Sequence, residues 1–412
     1  MRLTQVAGAL GLAMITAVPC LAQKQAEPGG KPDRSVLQAA LTDGRVVDAD
    51  TITSEAGGFV LRGAGQEVRV GAGELLSVHG GPIVEAGLPT AWLAGGEVLR
   101  GALVGGDRSG DTLELQSPVL DRLKVPVDRL LALTASATPR PEALRLPEGI
   151  DEALFRRARF GFDRIVGAVH EFGPRGVRFQ PDGDQEPRWF ALADLVGLRI
   201  ADPLPRAAAA PNELWTRTGD RLGVTVQRAT GEQVECTLES GRQVSLRWRD
   251  VACLTWRAAG TFLSDLEPKK VSEAGFDGEV LYPWQRDRST DGEALVAGGR
   301  TFGKGLGVHS RSRLYFAVPD GAARFWTRVA IDDTAAALLV RADVDVRVLL
   351  DGKIVFAKQG LGPGQSPLDS GQIAVAPGQE LVLEVDFGKG RELGDRVGWL
   401  APVFLPERSK KP

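Results

Sequence analysis

Histidine is scarce in this chain: three in 412 residues, namely His79, His170 and His309. Methionine and tyrosine occur twice each and cysteine three times. Each shortage removes a class of function. Cys20 falls in the N-terminal leader, which leaves Cys236 and Cys253, too few thiols for a cysteine-based metal site. The histidines stand far apart, and no H-E-x-x-H, G-x-S-x-G or G-x-x-x-x-G-K-[ST] run occurs. Paired carboxylates for glycoside hydrolysis are a matter of separation in space, so sequence leaves them open. With so little site chemistry to assign, the chain is expected to bind rather than to catalyse. An excess of positive charge is also missing. Fifty basic residues face 53 acidic ones, for a net charge of -3 and a pI near 5.9. That balance argues against nucleic acid as a partner. Beyond the leader, no apolar run approaches the roughly 20 residues of a transmembrane helix.

The leader itself has the form of a secretory signal. Arg2 precedes an apolar run from Val6 to Val18, and small or neutral residues lead to a cut before Gln23. Residues 1–22 are therefore expected to direct the chain out of the cytoplasm, to the periplasm, cell envelope or medium. Lipid attachment at Cys20 is the alternative, with Pro19 spoiling the usual pattern. Residues 23–35 are a polar linker.

What the chain does have is glycine, 51 residues of it, and a repeat. Four segments begin with a turn: LTDGRVVDA from Leu41, LAGGEVLRGAL from Leu93, GFDRIVGAV from Gly161 and RTGDRLGVTV from Arg217. Four segments end with a polar residue and an apolar run: Glu74–Val78, Arg129–Leu133, Asp194–Leu198 and Asp250–Leu254. The turn and the ending lie 32 to 35 residues apart in every copy. Short runs of period-2 alternation fill the interval, as half-buried strands do. Each copy is expected to be a small curled sheet resembling SH3-like or Sm-like barrels. The boundaries read 36–134 for two repeats, 135–160 for a proline-rich linker with a short helix in IDEALFRRARF, and 161–260 for two more. Cys253 occupies the position of Ser77, Ala132 and Gly197 in the other copies, where packing asks for a small residue. In an oxidising compartment a Cys236–Cys253 disulfide is the other expectation.

From Thr261 the texture changes to longer alternating strands, which predict a sandwich of two antiparallel sheets. The order FLSDLEP, GGRTFGKGLGVHS, the strand pattern Phe325-x-x-x-Val329-x-Ile331-Asp332-Asp333, LDGKIVF and GDRVGW resembles the NPCBM family. That is the novel putative carbohydrate-binding module associated with glycoside hydrolase family 98. The resemblance covers residues 261–406, with 407–412 a charged tail. It implies a galactose-binding-like jelly roll, a glycan or polysaccharide ligand and room for a structural calcium ion. Here Asp395-Arg396-Val397-Gly398-Trp399 carries no further acid or histidine between Asp395 and Trp399, unlike the usual family pattern.

A sugar site needs an aromatic face and fixed polar groups. Tyr282, Trp284 and Arg286 lie in one turn-like stretch, where Trp284 either forms a platform or closes the core. His309 follows the spaced glycines Gly303, Gly305 and Gly307, and either faces a sugar or pins its loop. Strand parity sets Phe325, Thr327, Val329 and Ile331 inward, with Trp326 and Arg328 on the other face. Asp332, Asp333 and Asp395 complete the candidates, with turn capping as the competing role of the first two. The expected function is non-catalytic carbohydrate binding by an exported protein. The alternatives are a structural or protein-contact factor of the cell envelope, and an accessory chain to a separate glycoside hydrolase.

Overall fold

The computed structural model describes residues 37–407 except 85–86, 108–109, 137–150, 202–208, 277, 279–281 and 339. The expected leader, the 23–35 linker and most of the tail lie outside the described residues. Among the described residues there is no α-helix: strands joined by turns and single-turn 3-10 segments make the whole fold. Among the described residues, no helix is long and apolar enough to cross a membrane.

The recurring endings share one conformation. Ala72–Glu74, Val127–Arg129, Leu192–Asp194 and Trp248–Asp250 are single 3-10 turns. They feed the strands Leu75–His79, Leu130–Thr134, Leu195–Arg199 and Val251–Trp256. A 3-10 turn is short-lived by geometry and releases the chain after three residues. The strands that follow are almost wholly buried, and each is flanked within its sheet by two others. Leu75–His79 pairs with Val251–Trp256, with Val78 opposite Leu254, and Leu130–Thr134 pairs with Leu195–Arg199, with Leu133 opposite Leu198. The first unit is thus joined to the fourth and the second to the third, all within one 16-stranded sheet. Thr51–Glu55, Gly58–Gly63 and Gln66–Gly71 form a three-stranded sheet off this path. Ala102–Gly106, Thr112–Ser117 and Asp121–Pro126 form another.

Two expectations are corrected here. The stretch expected as a short helix holds the strand Ala153–Arg157, paired on both sides with Phe162–Gly173 and Leu195–Arg199. The third unit therefore starts at Ala153 and not at Gly161. Glu, Ala, Leu and Arg in this stretch are good helix formers, but propensity is small per residue, and burial of Ala153, Leu154 and Phe155 in the sheet overrides it. Cys236 and Cys253 are both free, not bridged. They sit in separate apolar clusters, and burial pushes both thiols up to about 12.

The C-terminal third is two facing sheets. One contains Gly305–Val308, Val397–Leu405 and Arg324–Ile331; the other contains Ser312–Ala317, Glu380–Phe387 and Val344–Leu350. Phe325, Val329 and Ile331 fill the core between them, beside Leu306, Phe316 and Trp399. The outer face of the first sheet is not solvent. Trp326, Ala401, Val403 and Leu405 join the core of the repeats, which makes Val397–Leu405 a strand buried on both faces.

Of the spaced glycines, Gly303 belongs to this seam. A Cβ on Gly303 would stand 2.8 Å from Trp215 Nε1, so only glycine lets the loop lie against the fourth unit. Its amide donates to Cys253 Sγ (3.3 Å), and Phe302 packs on the His79 ring at 4.4 Å. His79 Nδ1 meets the Thr301 carbonyl at 2.8 Å and Nε2 meets Ser77 Oγ at 2.7 Å. Burial, with Arg328 nearby, holds His79 down to about 3, so it is neutral at physiological pH. It donates from Nδ1 and accepts at Nε2.

Candidate functional site

The predicted site residues fall into three places. Trp326 and Arg328 are in the seam. Trp326 is 0% exposed and donates from Nε1 to Asp369 (2.9 Å). Arg328 lies over the Phe302 ring at 4.9 Å and donates to Gln38 Oε1 (2.8 Å). Burial pulls its guanidinium down to about 10. Neither side chain faces a surface a glycan could reach.

Asp332 and Asp333 cap turns. Asp332 accepts from the Thr334 amide (2.9 Å), the Thr334 hydroxyl (2.6 Å) and the Val296 amide (3.1 Å). Asp333 accepts from the amides of Gly298 (3.1 Å) and Gly299 (2.7 Å). These are the contacts of turn capping, one of the roles expected for the pair. Among the described residues, no cluster of three His, Cys, Asp or Glu side chains is placed to hold a metal ion.

The third place is a rim at one end of the sandwich, where the chain after Lys270–Glu273, the turn at His309–Arg311 and the 388–396 loop converge. The Tyr282 and His309 rings lie 4.9 Å apart at 30°, and Tyr282 is 44% exposed. His309 Nδ1 meets the Ser310 carbonyl at 3.1 Å. Burial lowers its pKa, so the ring is neutral at pH 7 and Nε2 is an acceptor. The Ser310–Arg311 peptide bond is cis. Glu273, Arg311 and Glu392 complete a recess of about 10 Å³ beside Tyr282, enough to seat a hydroxyl group and no more. Beyond it, Phe276 meets Phe387 edge-on at 5.8 Å, and Arg391 lies over Phe276 at 4.8 Å. Phe276 is held in place by its amide, which donates to Glu392 Oε2 (2.6 Å).

Trp284 is half-buried against the sandwich core, and its amide donates to Glu273 Oε1 (2.8 Å). Arg286 lies over its ring at 5.2 Å and pairs with Glu267 at 2.6 Å. The pair therefore braces the rim from behind. Asp395 lies under the rim and is buried; it accepts from Ser310 Oγ (2.5 Å) and the Asp343 amide (3.2 Å).

Residues 260–405 match one family across their whole length. They form an NPCBM/NEW2 domain. The NPCBM domain is similar to CBM51 from Clostridium perfringens GH95, solved in complex with methyl-galactose: 23% identity over 35% of this chain and 99% of that one, TM-score 0.32. CBM51-2 in complex with GlcNAc and INT domains of C. perfringens ZmpB match at 22% over 45% of this chain and 38% of that one, TM-score 0.32. The tandem CBM51 modules of the family 98 glycoside hydrolase from Streptococcus pneumoniae SP3-BS71 match at 13% over 90% and 88%, TM-score 0.31. No curated protein matches the chain.

Phe276, Arg311, Phe387, Arg391 and Glu392 of the NPCBM rim were not among the residues singled out from sequence. For Phe387, Arg391 and Glu392 the signal was present in FGKGRELGD, a glycine-rich charged turn that ends on Asp395.

Asp395 gives the NPCBM rim a pH dependence. Burial, with Asp343 and Glu392 nearby, outweighs its two hydrogen bonds and raises it to about 6. An unfolded aspartate titrates near 3.9. Between about pH 4 and 6 the native state holds a proton that the unfolded state has lost, so stability falls as pH rises through that window and then levels. Urea midpoints measured from pH 3.5 to 7.5 are expected to show this fall, and Asp395→Asn is expected to flatten it. An unchanged slope in the variant would show that Asp395 ionises normally.

Proposed function

We propose that the NPCBM domain binds carbohydrate, without catalysis, on the Tyr282–His309 rim. The observation that carries this reading is an exposed tyrosine face stacked on a neutral histidine, with Glu273, Arg311 and Glu392 set around it. An aromatic face takes the apolar side of a pyranose ring, while carboxylates and guanidinium take its hydroxyls. The family membership of residues 260–405 supports the same ligand class. The shallowness of the recess fits a sugar laid across the rim rather than swallowed. Within this proposal the chain is exported through residues 1–22, the repeats are SH3-like or Sm-like barrels, and the NPCBM domain is a jelly roll.

The test is binding of the full chain to a glycan panel, with and without calcium. Tyr282→Ala is expected to weaken a hit about tenfold, equal to about 1.4 kcal/mol, with the melting temperature nearly unchanged. His309→Ala is expected to weaken it as well. A hit that both variants leave untouched would move the site elsewhere. No hit by the folded chain would favour a protein-contact role in the envelope. For that role the edge strand Lys353–Leu361 offers Ile354 and Val355 exposed on an unpaired side.

A further inference from the structure

The third unit carries a projecting finger. Ala153–Arg157 and Phe162–Gly173 pair as a hairpin, with Arg157 opposite Phe162. Pairing with Leu195–Arg199 on one side stops at Arg156, and pairing with Gly176–Pro181 on the other starts at Gly167. Residues 157–162 therefore stand clear of both neighbouring strands. The Ala158 amide donates to the Gly161 carbonyl (3.2 Å), and Gly161, at φ 78°, supplies the left-handed residue that closes the turn.

Phenylalanine is among the residues most often buried, yet this turn displays one. Phe160 is 86% exposed, more than any other large apolar side chain among the described residues, and Phe162 is 44% exposed. Phe162 stands edge-on to Phe155 at 5.4 Å, and Phe155 is buried with Trp92 and Ala132, so the finger is anchored in the core at its base. Positive charge is concentrated at the same place. Residues 156–164 hold four arginines and one acid, Asp163, in a chain whose net charge is -3. Arg156 pairs with Asp163 (2.9 Å) and Arg164 with Asp151 (3.5 Å). Arg157 and Arg159 are exposed and have no ion pair among the described residues; Arg159 lies over the Phe160 ring at 5.4 Å.

We propose that this finger docks on an anionic phospholipid surface, with Phe160 entering the boundary between headgroups and acyl chains and Arg157 and Arg159 bonding lipid phosphates. Shape and side chains together select that partner. A sugar site is concave and sets fixed polar groups against hydroxyls. The turn is convex, and residues 157–162 hold no carboxylate, hydroxyl or amide side chain. A specific protein contact takes about 800 Å² from each partner, more than a six-residue tip supplies. A bilayer surface yields to a projecting ring, takes apolar groups about 5–10 Å deep, and offers phosphates that guanidinium forks match. The finger does not depend on the rim.

The test is sedimentation with vesicles of the chain from Gln23 onward, since the apolar leader would itself bind lipid. Vesicles of phosphatidylcholine alone and of phosphatidylcholine with an equal amount of phosphatidylglycerol are compared at low and raised salt. Soluble polygalacturonate serves as a polyanion without lipid. The wild type is expected to bind the mixed vesicles at least tenfold more tightly than phosphatidylcholine or polygalacturonate, and to lose affinity as salt rises. Replacing both arginines, Arg157→Gln with Arg159→Gln, is expected to lose about tenfold on mixed vesicles and most of the salt sensitivity. Phe160→Ser is expected to lose about tenfold while keeping the salt sensitivity. Phe160→Trp is expected to keep binding and to be quenched by brominated acyl chains beyond any quenching of the wild type, which a purely structural role at the tip would not produce. All three side chains are exposed, so melting temperatures are expected to stay at the wild-type value, which keeps loss of fold apart from loss of binding. Tyr282→Ala is expected to keep full lipid affinity, so failure of the rim and failure of the finger are told apart. The proposal is overturned if the wild type ignores the mixed vesicles, which would give the finger to a protein partner, or if polygalacturonate binds equally, which would make it a polysaccharide contact. It is also overturned if Phe160→Ser or the double arginine variant binds the mixed vesicles as the wild type does.

Discussion

Replacing Lys304 with methionine is expected to destabilise the chain by about 3–5 kcal/mol, read as a lower urea midpoint with an unchanged slope. The Lys304 side chain is 1% exposed and contacts Asp265 (2.6 Å), Asp287 (3.0 Å) and Glu213 (4.0 Å). Arg221 bonds Glu213 (3.2 Å) and Asp287 (2.6 Å), while Arg257 bonds Glu213 (2.5 Å) and Asp265 (3.2 Å). Three acids and three bases balance in one cluster that ties the fourth repeat to the NPCBM domain. Burial alone would raise Glu213, but Arg221, Lys304 and Arg257 outweigh it and hold the carboxyl below its usual range. Glu213 therefore contributes stability that is present above the unfolded glutamate value near 4.3 and is lost as pH falls through its lower native value. Without Lys304 the cluster keeps an uncompensated buried negative charge. Protonation relieves that charge, so the deficit of the variant is expected to narrow on acidification below about pH 4. The double variant Lys304→Met, Asp287→Asn restores the balance and is expected to recover part of the loss. An unchanged midpoint for Lys304→Met would mean that the ammonium stabilises the seam no more than its hydrocarbon stem does.

The repeats were legible because their signal is periodic. A polar residue, a 3-10 turn and an apolar strand recur at fixed distance, and all four endings land on such a strand. What sequence could not supply is which strands meet: Val78 faces Leu254 and Leu133 faces Leu198, pairings of equal chemistry that any two copies could make. The glycine loop of Gly303, Gly305 and Gly307 stood out in sequence for the same reason it is needed, close approach. Sequence could not say that it approaches Trp215 and Cys253 of another unit. Asp332 and Asp333 illustrate a different limit. Two adjacent carboxylates can bind a sugar, hold an ion or cap a turn, and only the positions of Val296, Gly298 and Gly299 decide among these. On the rim, Tyr282 and His309 were named separately from sequence, and they stack. Their neighbours Phe276 and Glu392 lie 116 residues apart along the chain, beyond the reach of any local pattern.

Trp326 shows how far parity reasoning reaches, and it sets the second large effect. Alternation correctly separated Trp326 from Phe325 and Val329, but it reports two faces without saying what covers the second. An aromatic and an arginine on a face away from the sandwich core suggest a sugar platform; here that face is the seam. Trp326→Ala is therefore expected to cost about 3–5 kcal/mol, the range for emptying a buried aromatic site. It is expected to leave glycan affinity unchanged in whatever fraction stays folded. Trp326→Phe keeps most of the ring but loses the bond to Asp369, and should cost about 1 kcal/mol for that bond plus part of the lost volume. Tyr282→Ala is expected to show the opposite pattern, with affinity lost and stability kept. Measuring unfolding midpoints and glycan affinity on all three variants separates the two faces. If Trp326→Phe, folded and stable, lost glycan affinity as Tyr282→Ala does, the seam face and not the rim would carry the sugar. Trp326 lies under Ala401, Val403 and the repeat core, so sugar contact there would require the two halves to part.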